Sequence, residues 1–191
     1  MADIILASQS PRRKQLLQWA EIDFDILVSA TDETYPEELT HEQVAIHIAE
    51  EKAETVRKKT ADKIIIAADT IVVVDNDIIG KPNDRAEAIA ILMRLSGRYH
   101  KVITGVVISS QHKKIKFADT TSVLFHSLSR RQIEYYVDKY HPYDKAGAYA
   151  IQEWIGVVGI KSIDGDFYNV MGLPVSRVVQ ALAEFTPQKM G

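Results

Sequence analysis

The sequence predicts an α/β protein: a mixed, twisted sheet with helices on its faces. Two observations predict it. Strand-like and helix-like segments alternate through roughly the first half of the chain, and two long apolar runs then follow one another as an antiparallel section. Alternation calls for parallel strands with crossover helices, and adjacent long strands call for antiparallel pairing, so one sheet must hold both.

The elements follow in order. "DIILAS" is a short buried strand that runs into a helix start, where Ser10 is suited to the N-cap and Pro11 to the first helical position; the helix extends to about Ala20. "DFDILVS" is a second strand. Thr40 with Gln43 three residues later forms a capping-box signal for a long helix, about His41 to Lys58. "KIIIAAD" is a continuous apolar run, the pattern of a strand buried on both faces. "TIVVV", the turn at Asp75-Asn76-Asp77 and "IIG" form a hairpin. Asp84 with Glu87 opens a helix to about Leu95. "KVITGVVISS" and "KIKFADTTSVLF" are long antiparallel strands joined near His112. Ser129 with Gln132 caps a helix to about Lys139. "WIGVVGIKSIDG" is a late strand, and Pro174 opens the last helix, "PVSRVVQALAEF".

Composition excludes several functional classes. The 191 residues are enough for one well-packed or two-lobed domain. A formal net charge of -3 argues against a nucleic-acid binder. The absence of cysteine removes thiolate catalysis and disulfides. No basic region followed by an apolar stretch and a small-residue cleavage site is seen near the first residues, and "IIIAADTIVVV" is too short to span a bilayer and contains Asp69. The expectation is a soluble, cytoplasmic protein without membrane partners.

Several residues stand out chemically. Arg12 and Arg13 fall in the first turn of a helix, where the dipole already favours anions. Ser8, Ser10, the converging backbone N–H groups and two guanidinium forks make an anion site there; the alternative is a pair of solvent-facing arginines. Asp69 closes an apolar strand, where an ionised carboxylate is costly without a partner. It is either a metal ligand or general base, or the cap of a nearby turn, and Thr70 supports either. Lys52 falls within the apolar stripe Ala45, Ile48, Ala49, Ala53, Val56, so it either snorkels or reaches into a polar cleft. Lys81 in "GKP" lacks the upstream glycine and following hydroxyl of a P-loop. Arg98 and His100 sit in a loop entering a strand, with a structural role the default for the histidine. Asp32 and Glu33 are a turn pair or hard oxygen ligands. Scattered histidines argue against zinc. Together, cations (Arg12, Arg13, Lys52, Lys81) and carboxylates (Glu33, Asp69) suit metal-assisted chemistry on a phosphate ester or anhydride.

In order, "LASQSPRR", "TDETYP", "EKA", "AADTIV", "GKP", "SGRYHKVITGV", "DKAGAYAIQ" and "GDFYNVMGLPVS" resemble the Maf family of nucleoside triphosphate pyrophosphatases. The likeness runs from Leu6 to about Ser176. One departure is Glu153, where the family often has glycine after the glutamine.

The resemblance implies a single Maf-like domain over residues 1–191, two-lobed and similar to inosine triphosphate pyrophosphatases, with the active site in the cleft. It implies hydrolysis of dTTP and UTP to the monophosphate and pyrophosphate, aided by Mg²⁺ or Mn²⁺, in a cytoplasmic and often dimeric protein. It places the catalytic aspartate on Asp69 and the specificity positions on Arg12, Thr70 and Gln152. Ser8, Arg13, Lys52 and Lys81 are then expected to bind phosphate, with Glu33 and Asp69 as metal ligands. A glutamine amide offers both donor and acceptor to the O4 and N3–H of uracil and thymine. Two rival readings are a non-catalytic nucleotide-binding regulator of cell division and a phosphatase removing the terminal phosphate.

Overall fold

In a computed structural model, which describes residues 3–28, 30–31, 34–60 and 62–185, the strands join in one seven-stranded mixed sheet. Its strands are β1 (Ile4–Leu6), β2 (Asp25–Ile26), β3 (Ile64–Val74), β4 (Asp77–Ile79), β5 (Tyr99–Ser109), β6 (Lys114–Phe125) and β7 (Ile160–Asp164). The helices are α1 (Pro11–Trp19), α2 (His41–Arg57), α3 (Arg85–Leu95), α4 (Arg130–Tyr140), α5 (Trp154–Gly159), α6 (Phe167–Met171) and α7 (Val175–Ala183). The strand order is β2-β1-β3-β5-β6-β7, with β4 paired to β3. β1 lies parallel to both β2 and β3, whereas β3–β4 and β6–β7 are antiparallel.

Local signals explain the helix starts. The Ser10 side chain accepts from the Arg13 backbone N–H, with Pro11 in the first turn. Thr40–Gln43 and Ser129–Gln132 are complete capping boxes, each satisfying two backbone donors reciprocally. Asp84 accepts from the Glu87 N–H.

The chain divides into two compact units. The first gathers the described residues up to Thr70, Thr104–Asp119 and those from Gly172 on; the second holds Ile71–Ile103 and Thr120–Met171. In the first, Ile65 and Ala67 of β3 and Val107 of β5 pack on Ala49, Ala53 and Val56 of α2. Gly105 faces the same helix so closely that a Cβ there would lie 2.2 Å from the Ala45 carbonyl carbon. In the second, α3 packs on α4, and Leu92, Leu95, Phe125, Ile133 and Tyr136 are among the fully buried side chains.

Two expectations change. "KIIIAAD" and "TIVVV" are one strand, so Asp69 lies within β3 rather than at its end. However, β1 pairs with β3 only as far as Leu6 opposite Ile66, so Asp69 still lies beyond the carboxyl end of the parallel pairing. The first half of "WIGVVGIKSIDG" is a helix, α5, and only Ile160–Asp164 is a strand. The backbone N–H groups of Gly156 and Val157 both donate to the Glu153 carbonyl, and a Cβ at residue 156 would meet the Ile151 oxygen at 1.7 Å. Glycine permits that tight start. Burial of Ile155 and Gly159, with Val157 exposed, follows the helical i, i+4 spacing.

Candidate active site

β3 alternates its side chains between the two faces of the sheet, and its odd positions Ile65 and Ala67 face α2. Asp69 continues that face. There it meets Lys52, whose Nζ lies 2.6 Å from Oδ1. Lys52 lies four residues after Ile48 and four before Val56 on the inner stripe of α2, so its place follows from helical periodicity. Both side chains are largely buried (18% and 13% exposed), and each relieves the desolvation of the other. Among the described residues, Asp69 Oδ2 accepts no hydrogen bond.

Thr70 points to the other face, where α1 supplies Arg13. Arg13 is 8% exposed, and its guanidinium makes three directed contacts: Nε donates to the Gly172 carbonyl (2.8 Å), Nη1 to Ser8 Oγ (3.1 Å) and Nη2 to Thr70 Oγ1 (2.9 Å). Thr70 Oγ1 also lies 2.9 Å from Thr104 Oγ1, and donates to the Gly172 carbonyl at 3.3 Å. Gly172 has φ +118°, a conformation suited to glycine that turns its carbonyl toward the guanidinium. The planar fork reaches its acceptors from three separate nitrogens, a spread that the single nitrogen of an ammonium does not reproduce.

Thus Ser8, Arg13 and Thr70 come together, as do Lys52 and Asp69, all in the first unit. Arg12, the preceding residue, is half-buried and makes no hydrogen bond or ion pair among the described residues. Lys81, between β4 and α3, and Gln152, in a turn before α5, belong to the second unit; both are exposed and unpaired among the described residues. Asp32 and Glu33 lie outside the described residues.

Sequence reasoning missed Thr104 and Gly172. A fully buried threonine inside the apolar run "VITGVVI" is the signal that could have found the first. Arg98 donates to Asp75 in an exposed ion pair. His100 is buried, as the structural reading expected: Nε2 lies 2.7 Å from Tyr149 Oη, Phe125 packs edge-on, and Nδ1 has no hydrogen-bond partner among the described residues. Burial pushes its pKa down to about 4 and the Tyr149 phenol up.

No group of three or more potential metal-ligating His, Cys, Asp or Glu side chains occurs among the described residues. Among the described residues Asp69 is the carboxylate of the site, and Mg²⁺ commonly binds through one or two carboxylates and substrate phosphates rather than a protein cage.

Fold and site together define an α/β protein with a carboxylate–ammonium pair and a buried guanidinium–hydroxyl cluster beside the end of a parallel strand pair. The Maf-like protein model matches residues 3–185, and the chain belongs to that family. It is 50% identical over 187 residues to a dTTP/UTP pyrophosphatase of Cytophaga hutchinsonii, covering 97% of this chain and 86% of that one. It is 47% identical to one of Parabacteroides distasonis (95% of each chain) and 48% identical to one of Bacillus velezensis (95% and 96%). Among solved structures, a HAM1 protein from Coxiella burnetii aligns with TM-score 0.45 and 15% identity over 65% of this chain and 73% of that one.

Proposed function

We propose that this chain is a nucleoside triphosphate pyrophosphatase acting on dTTP and UTP. Water attacks the α-phosphorus, the bond from that phosphorus to the bridging oxygen breaks, and the products are the nucleoside monophosphate and pyrophosphate. The observation that carries this reading is the Asp69 carboxylate, held by Lys52 through Oδ1, with Oδ2 accepting no hydrogen bond among the described residues.

In this reading Asp69 accepts the proton of the attacking water through Oδ2. Lys52 fixes the carboxylate and offers its charge to the phosphates. Arg13 acts chiefly by holding Ser8 and Thr70, since its contacts already engage three acceptors. Arg12 and Lys81 have no side-chain hydrogen bond or ion pair among the described residues, and in this reading they serve the triphosphate or the nucleoside. Gln152 reads the base edge. In the alternative role, Asp69 would with Glu33 hold a divalent cation, which would neutralise phosphate charge and lower the pKa of a bound water. No helix among the described residues is long and apolar enough to cross a membrane; a cytoplasmic homodimer without nucleic-acid partners completes the proposal.

Product analysis over a nucleotide panel with Mg²⁺ tests it. Pyrophosphate from dTTP and UTP is expected. Orthophosphate alone would indicate a phosphatase, and tight binding without product a regulator.

A further inference from the structure

Gln152 is displayed by a four-residue turn, Ala150–Glu153, closed by the Glu153 N–H donating to the Ala150 carbonyl at 3.1 Å. Both ends of that turn reach one atom. The Ala150 N–H donates to Tyr136 Oη at 3.2 Å, and Tyr136 Oη–H donates to Glu153 Oε2. Tyr136 is fully buried on α4, so this phenol is a fixed anchor. The other carboxylate oxygen of Glu153 lies 3.6 Å from Nζ of Lys145, a lysine only 8% exposed. Ile151, inside the turn, is buried at 4%. Gln152 alone of the four points out as an exposed side chain.

We infer that Glu153, acting through Tyr136 and Lys145, is the positioning residue that sets how Gln152 presents its amide to the base. The inference rests on the reading of Gln152 as the base-contacting residue. A glutamine has three side-chain torsions, and its selectivity depends on a fixed backbone launch point. The main-chain turn supplies one hydrogen bond for that; the Tyr136–Glu153 clamp closes the same turn a second time from the core. Glycine at residue 153 could close the turn but not the clamp. The segment's other end is tied as well: the Gly147 N–H donates to the Gly80 carbonyl at 3.2 Å, next to Lys81. The clamped segment therefore steadies two of the proposed substrate-facing side chains.

The test is the ratio of kcat/KM for UTP over CTP, two nucleotides that differ at the pyrimidine 4-position. It is measured for wild type, Gln152→Ala, Glu153→Ala, Glu153→Gln and the double variant Gln152→Ala/Glu153→Ala, each checked for a cooperative thermal transition. Gln152→Ala is expected to lower the ratio, and Glu153→Ala to lower it by about tenfold, as loss of an ordered polar contact to a base does. Glu153→Gln keeps an acceptor for Tyr136 and should recover most of the ratio. In the Gln152→Ala background, Glu153→Ala should leave the ratio where it is, whereas a merely structural role would lower activity on both nucleotides equally. An unchanged ratio in folded Glu153→Ala, with Gln152→Ala selective, overturns the positioning role alone. An unchanged ratio in Gln152→Ala overturns the base-reading role and the inference with it.

Discussion

Arg13→Lys conserves charge and removes geometry, so it measures what the guanidinium fork contributes. Arg13 donates to three acceptors in different directions, Gly172 O, Ser8 Oγ and Thr70 Oγ1, from a site 8% exposed. A lysine ammonium at the end of a single stem can reach one of them well. Two acceptors then lose a charged donor. Such bonds contribute about 1.5–3 kcal/mol each, but Thr70 Oγ1 keeps Thr104 and Gly172 O keeps Thr70, so about 1–1.5 kcal/mol per lost bond is the better figure. The total is about 2–3 kcal/mol. For a domain of this size that lowers the melting temperature by roughly 4–12 °C and the urea midpoint by about 1 M. Equilibrium urea unfolding followed by circular dichroism reads both size and cooperativity. If Arg13→Lys unfolds within about 0.5 kcal/mol of wild type, the fork is not the organiser of this cluster and Arg13 is available to phosphate instead.

Three further outcomes follow from the same contacts. Asp69→Asn should fold and lose turnover by on the order of 10²-fold or more, read as pyrophosphate release; near wild-type release from a folded variant removes Asp69 as the proton acceptor. His100 is neutral in the fold, with its pKa lowered from 6.5 to about 4 by burial, so the unfolded chain takes up the proton first and stability falls as pH drops from about 6.5 toward 4. This residue should account for about 2 kcal/mol of destabilisation between pH 7.5 and pH 5, and His100→Gln should flatten that slope; an unaltered slope refutes the assignment. Gly105→Ala drives a methyl group into the α2 backbone at Ala45 and Ile46 and should cost about 3 kcal/mol or more in unfolding free energy; a near-neutral variant would mean that α2 can retreat from the sheet.

Much of this was legible because it is local. Ser10-Pro11, Thr40–Gln43, Asp84–Glu87 and Ser129–Gln132 each place cap and partner within a few residues, and each cap is formed. The position of Lys52 on the buried stripe of α2 was legible from period alone. Its partner was not, since Asp69 arrives from a strand 17 residues on in the sequence. Likewise two adjacent arginines at a helix start look equivalent. Burial separates them, through Gly172, 159 residues from Arg13 in the chain. The helix at Trp154–Gly159 was misread because a short apolar run carries no reliable period; its start depends on a glycine fitted against Ile151 O, a contact that spacing does not display. Glu153 looked like a mere departure from a motif, and only the fold of α4 puts Tyr136 within reach of it.

The alternation of β3 makes that strand a ruler. Asp69 and Thr70 are neighbours in the chain but serve opposite faces, one read by Lys52 and the other by Arg13. Insertion or deletion of a single residue between Ile64 and Ala68 would invert the faces of both at once, turning the carboxylate toward the guanidinium side and the hydroxyl toward the apolar packing under α2. Substitutions in this strand can be graded in their effects, but a length change cannot. The parity of its eleven residues therefore acts as a unit, and a length change that preserved both faces would have to fall in the loops that flank it.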